Sequence, residues 1–300
     1  MNNQKTVGVI YAAAAYTLWG ILPVYWKMID SVFSMEILAN RIVWALVFMI
    51  LIITVTKKWD ELKRIAKYKG QMLYIFIASI LITINWGLYI WAVSSDKIVD
   101  ASLGYYINPL LAVALGVVIF KEKLSYWTGA ALIVAFVGVI IKTIQYGKIP
   151  WISLGLAISF ALYGAIKKSV KASSIIGLTL ETAIITPAAA IYIALRHVSG
   201  VGAFKTQGTL VILLLVGGGV VTAIPLLLFA SGAKRLPLSL IGFTQYISPT
   251  ISLAIGIFVY NEGFTVVDMI AFCFIWVAIT IYSFSQMSLA KSLKNLQHTN

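Results

Sequence analysis

The chain has 300 residues, of which 61% are hydrophobic and 11% charged, with a mean hydropathy of +0.95. Soluble globular proteins run at roughly 45–50% apolar and about 25% charged, so this composition excludes a soluble domain and points to a membrane protein. The net charge of +13 does not point to nucleic acid, because the basic residues sit in short clusters between apolar runs and not on one polar face or arm.

Apolar runs of about 17–25 residues suffice to cross a hydrocarbon core of roughly 30 Å, and ten are predicted in chain order. The first, 7–26, follows Lys5. It is too long for a signal h-region and lacks a clear cleavage site, so it reads as a retained span. Next come 37–56 and then a segment, 57–71, whose six basic residues and Asp60-Glu61 suit a small surface helix. Runs 72–93, 101–120, 126–142, 151–166, 176–194, 210–230, 238–259 and 266–286 follow. Lysine and arginine counted on alternate sides give sixteen against six with the N-terminus inside, so both termini are expected in the cytoplasm. A bilayer thus accounts for the positive charge.

One stretch occurs twice. Tyr106, Ile107, Pro109, Ala114, Gly116 and Glu122 are matched, 140 positions on and without a gap, by Tyr246, Ile247, Pro249, Ala254, Gly256 and Glu262. Leu18-Trp19-Gly20 similarly answers Leu162-Tyr163-Gly164. The main repeat carries the fourth span onto the ninth, five crossings later, and an odd number of crossings reverses direction. The expected fold is therefore an all-α polytopic membrane protein, its ten transmembrane helices forming two inverted five-helix repeats, 1–147 and 148–288, with a cytoplasmic tail at 289–300. Inverted halves are the architecture of secondary transporters, in which a midplane site is exposed alternately to either side. A channel-like facilitative pathway is the alternative. A membrane enzyme is not expected, because the embedded charges lie at different depths.

Several segments carry a family resemblance: Glu36–Trp44, Asn85–Val93, Asp100–Leu110, Ser159–Gly164 and Gly242–Pro249. Together they span nearly the whole chain, which resembles the EamA-type permeases of the drug/metabolite transporter superfamily and, within them, the RarD subgroup. The resemblance implies a bacterial inner-membrane transporter, an exporter of small organic metabolites or drugs. Asn40 departs from the histidine usual in the subgroup before the arginine, which puts an imidazole role there in doubt.

Pro109 and Pro249 withhold an N–H from the carbonyls of Tyr105 and Gln245, and in a bilayer such carbonyls need a neighbouring helix, water or a cavity. Both kinks fall near the midplane, beside Tyr106 with Asn108 and beside Gln245 with Tyr246. They mark either a cavity wall or a packing kink. Asn85, Trp86 and Tyr89 share a helix face suited to an amphipathic aromatic or amino-acid-like solute, with helix-to-helix bonding the alternative for Asn85 and an interfacial belt for Trp91. Arg41 and Glu181, 140 apart, are the ionisable residues well inside spans. At 1.5 Å per residue they lie roughly 15 Å apart along the normal, too far to pair. Arg41 is a candidate for orienting an anionic group, and Glu181 for a proton-accepting or gating carboxylate; the alternatives are snorkelling for Arg41 and a bond to Lys167 or Lys168 for Glu181.

Glu122 and Glu262, at span ends, suit a structural role, capping or a partner such as Lys121 or Lys123. Gly217-Gly218-Gly219 lacks the Lys-Ser/Thr of a phosphate loop, so it suits close helix contact or a hinge. Cys273, the single cysteine, lies in an apolar run, and His197 and His298 show no metal-ligand spacing, so no metal and no cofactor are expected. The expected partners are a small organic solute, the lipid bilayer and, as coupling ion, protons. Nothing in the sequence fixes the oligomeric state or the substrate.

Overall fold

A computed structural model describes residues 3–94, 98–147, 151–260 and 265–298. It is 87% helix, with no strand among the described residues. In order the helices are α1 (Asn3–Lys27), α2 (Ser34–Val55), α3 (Trp59–Lys67), α4 (Lys69–Ser94), α5 (Ile98–Phe120), α6 (Tyr126–Tyr146) and α7 (Trp151–Ser169). Then follow α8 (Ser174–Val198), the single turn α9 (Ala203–Thr206), α10 (Thr209–Ala233), α11 (Leu238–Gln245), α12 (Ile247–Phe258) and α13 (Val266–His298). Six helices among the described residues are long and apolar enough to cross a membrane, with two shorter apolar stretches, Gly104–Phe120 and Met269–Tyr282. The polar segment 57–71 forms α3, whose first turn holds Asp60 and Glu61 and whose last holds Arg64 and Lys67, an arrangement that complements the helix dipole.

One predicted run differs in kind. Residues 238–259, expected as a single span, form two helices that meet at Tyr246. The cause is Pro249. Breaking the helix at Tyr246 moves Pro249 into the first turn of α12, where a helix needs no N–H from it. Its counterpart Pro109 stays inside the continuous helix α5. The last run also extends: α13 continues through residues 289–298, the expected tail.

Packing repeats itself across the chain. The helix α1 lies on α10 and α12, as α7 lies on α4 and α5, while α2 meets α8, α5 meets α11 and α6 meets α13. Small residues permit these approaches. A Cβ on Gly219 would fall 2.3 Å from the Trp44 carbonyl carbon and 2.5 Å from the Ala45 nitrogen, so α10 touches the backbone of α2 there. Gly217 faces the Tyr25 hydroxyl and Gly218 lies at ordinary contact distance from the Trp26 ring, so the glycine run packs against side chains of α1 as well as the backbone of α2. At Gly242 the same reasoning brings α11 onto the Pro109 carbonyl, 2.8 Å from a built Cβ.

The largest core cluster joins Tyr16, Tyr163, Phe229 and Leu226 to Trp19 and Phe160 at its edge. Rings from α1, α7 and α10 interlock, Tyr163 stacking on Phe229 at 6.0 Å between centroids. Large apolar side chains such as Val118, Ile133 and Leu213 point outward, as a lipid-facing surface requires. At one end of the bundle, here the lysine-rich face, the ends of α2, α5, α7, α10 and the starts of α8 and α11 come together. At the other, Tyr25 donates to the Leu214 carbonyl at 2.5 Å and Glu36 accepts from Arg196.

Candidate functional site

Arg41 projects from α2 toward α1, α4, α5 and α10. Its guanidinium carbon lies 4.8 Å from the Trp26 ring centroid and 4.4 Å from that of Trp86, so two indoles flank it. The Nε donates to Thr222 Oγ1 at 3.1 Å, and Tyr89 and Tyr105 are its titratable neighbours. Those phenols meet edge-on, 6.0 Å between ring centres. Tyr105 is 38% exposed and Arg41 is partly exposed, so the two share a cleft lined by side chains of α1, α2, α4, α5 and α10. Among the described residues no carboxylate lies within ion-pairing distance of Arg41.

Trp86 divides this site from a second chamber. Its indole also walls a small cavity lined with Ile42, Tyr163, Leu178, Glu181, Thr182 and Leu226. At ≈ 10 Å³ this cavity has room for about one water molecule. Beyond it Glu181 accepts from Lys167 Nζ at 2.6 Å and from Tyr163 Oη at 3.2 Å, with both charged side chains 1–2% exposed. Two charges so desolvated persist only as a pair. Arg41 and Glu181 do not pair with each other, and Lys167 is the partner of Glu181.

A third group lies at the lysine-rich face. Lys121 takes φ 52°, and the turn it makes lets Glu122 N bond to the Gly116 carbonyl at 3.1 Å while its carboxylate swings beneath α11. There Oε1 accepts from Lys168 Nζ at 2.8 Å and Leu238 N at 2.6 Å, and Oε2 accepts from Ser239 N at 3.1 Å and Ser239 Oγ at 2.8 Å. Glu122 thus caps a helix more than a hundred residues away, satisfying N–H groups that Pro237 at the N-cap cannot. Its lysine partner is Lys168, in place of the expected Lys121 or Lys123, because the turn aims the carboxylate inward. Glu262 lies outside the described residues. Nearby, Glu61 accepts from Ser173 N at 3.2 Å, Gln71 from Lys171 N at 2.7 Å, and Lys234 donates to the Ala172 carbonyl. Burial, with Lys167 adjacent, lowers the Lys234 ammonium to about 8.

Burial alone would raise the Glu122 carboxyl, but the bonds from Lys168, Ser239 and Leu238 outweigh it and hold the group below 4.5. A depressed carboxyl contributes stability above its unfolded value and loses it as pH falls through the folded one. Glu122→Ala is therefore expected to cost about 1–3 kcal/mol near neutral pH. Thermal unfolding checks this: the gap between wild type and variant narrows as pH falls below 4.5 and closes further down.

The remaining predicted residues divide cleanly. Trp86, Tyr89 and Tyr105 join Arg41. Asn85 is spent on α7, its Nδ2 donating to the Leu156 carbonyl at 2.9 Å and Ser159 Oγ at 3.0 Å. Asn108 Nδ2 likewise donates to the Ala157 carbonyl at 2.7 Å, leaving its Oδ1 buried and unpartnered. Tyr106 and Tyr246 pack with Phe243, Phe272 and Tyr282 in a core cluster, and Tyr246 Oη donates to the Tyr106 carbonyl at 3.4 Å. Gln245 is buried at the end of α11. Trp91 is 49% exposed, Cys273 is exposed, and no metal-binding cluster of His, Cys, Asp and Glu occurs among the described residues. Sequence reasoning missed Trp26 and Thr222, which nothing near them in the sequence marks. It passed over Tyr163 as a site residue, although Tyr163 is the repeat counterpart of Trp19.

Comparison with known proteins follows the same lines. Residues 6–144 match the EamA-like transporter family. The chain is similar to the uncharacterized transporter YojE of Bacillus subtilis (strain 168), 47% identical over 98% of this chain and 100% of that protein. It is also similar to Protein RarD of Salmonella typhi, 39% identical over 93% of this chain and 95% of that one, and to Protein RarD of Escherichia coli (strain K12), 38% identical over the same shares. A crystal structure superposes with a TM-score of 0.69 over 91% of this chain and 96% of that chain at 17% identity, a likeness of fold alone.

Proposed function

Because the chain belongs to the EamA-like transporter family, in its RarD subgroup, we propose that it is a secondary transporter working by alternating access. Ten spans in two inverted five-helix halves carry a small organic solute outward across a bacterial inner membrane, with both termini in the cytoplasm. The observation that carries this reading is the paired packing: α1 on α10 and α12 mirrors α7 on α4 and α5, and the self-paired contacts α2–α8, α5–α11 and α6–α13 lie on the implied axis. Contacts that repeat under exchange of halves suit a carrier whose two closed ends interconvert. In this conformation the lysine-rich end is the closed one, held by Glu122 with Lys168 and Glu181 with Lys167. Opening it requires those groups to part, and Glu181 is then the residue placed to take up a proton as Lys167 leaves.

Counterflow in proteoliposomes tests this. A solute found by thermal-shift screening, where a binder stabilises the folded state, should enter faster when unlabelled solute waits inside. Steep, non-saturating flux without acceleration would indicate a channel instead.

A further inference from the structure

We infer that the Arg41 cleft is a recognition site for the carboxylate of a singly charged, aromatic or amphipathic organic acid. The inference rests on the transporter reading for its purpose, but the binding it describes stands on geometry. A guanidinium carries five N–H donors in a fixed plane. Here the guanidinium lies over the rings of both Trp26 and Trp86, and the Nε is used by Thr222. The outer edge, with the Nη groups, finds no protein acceptor among the described residues and borders the cleft shared with Tyr89 and Tyr105. That edge is the fork that takes a carboxylate through two parallel hydrogen bonds.

The walls narrow the class further. Indole and phenol rings surround a single cation, and no second lysine or arginine from the packed elements α1, α4, α5 or α10 joins it among the described residues. A phosphate dianion would leave one charge uncompensated in an apolar setting, whereas a carboxylate is neutralised by one guanidinium. The aromatic rings then offer stacking to the rest of the solute. A lipid headgroup fits less well, since side chains from α1, α4, α5 and α10 stand around Arg41.

The test is equilibrium binding to the full-length protein in nanodiscs, read by calorimetry, with phenylacetate as probe, phenylacetamide as its neutral isostere, and inorganic phosphate as the dianion. Saturable binding of phenylacetate, at least about 10-fold tighter than phenylacetamide and phosphate, is expected. Arg41→Gln should weaken it roughly 10- to 100-fold, the range for charge-assisted hydrogen bonds. Arg41→Lys should recover part of the affinity, and Thr222→Val, which leaves the charge in place, should cost only a few-fold and guards against misfolding of the arginine variants. Equal affinity for acid and amide, undiminished binding in Arg41→Gln, or no saturable binding of phenylacetate overturns the inference. So does loss of phenylacetate binding when phosphatidylglycerol replaces phosphatidylcholine in the nanodisc, since that identifies a lipid site. Counterflow of some other solute would survive such a failure, so the two readings fail separately.

Discussion

Replacing Lys167 with methionine is expected to lower stability by about 3–5 kcal/mol, the cost of stranding a buried charge. Glu181 would keep only the Tyr163 hydroxyl as partner in a setting where its side chain is 2% exposed. Glu181→Gln should destabilise in the same direction by stranding the ammonium. The double variant Lys167→Met/Glu181→Met should recover most of the loss, because removing both charges removes both desolvation penalties. Thermal unfolding in detergent of the two singles and the double decides it. Additive losses would mean that the two side chains act independently and that the pair is not what closes this end.

Gly219→Val is expected to cost about 3 kcal/mol, near the top of the overpacking range. The atoms a side chain meets there are the Trp44 carbonyl carbon and Ala45 nitrogen; backbone cannot rotate out of the way as a side chain can, so α2 and α10 must separate. Since Arg41 on α2 bonds Thr222 on α10, the separation should also disturb the cleft. Gly129→Ala is the control. A Cβ there meets nothing within 4 Å, so the substitution should gain about 0.5–1 kcal/mol through helix propensity. Unfolding midpoints that moved together in both variants would contradict the contact drawn for Gly219.

That the chain is an all-helical membrane protein was legible because apolar runs bounded by charge are a local signal. The break at Tyr246 was half legible: Pro249 announced a disturbance, but whether a proline kinks a helix or begins a new one depends on whether the chain can break upstream of it, as it does at Tyr246 and not at Tyr106. The Arg41 site was legible in part. An arginine inside an apolar run stands out, and Trp86, Tyr89 and Tyr105 were among the expected cavity residues, while Trp26 and Thr222 come from two other helices that only the tertiary fold gathers. Glu122 shows the same limit, since its partners Lys168, Leu238 and Ser239 lie across the molecule. Asn85, Tyr106, Asn108 and Tyr246 show the converse. Polar and aromatic side chains beside a kink serve helix packing as readily as a solute, and periodicity cannot distinguish the two.

The inversion of the halves is the claim from which the mechanism follows, and one pair of positions tests it without any solute. Tyr126 opens α6 and is 84% exposed; Val266, 140 residues on, opens α13 and is 68% exposed. In a Cys273→Ser background, Tyr126→Cys and Val266→Cys can be labelled with a membrane-impermeant maleimide in right-side-out and in inverted membrane vesicles. Inverted halves predict that Tyr126→Cys reacts only in the inverted vesicles and Val266→Cys only in the right-side-out ones. Labelling of both positions from the same side would contradict the inverted architecture and the alternating access built on it.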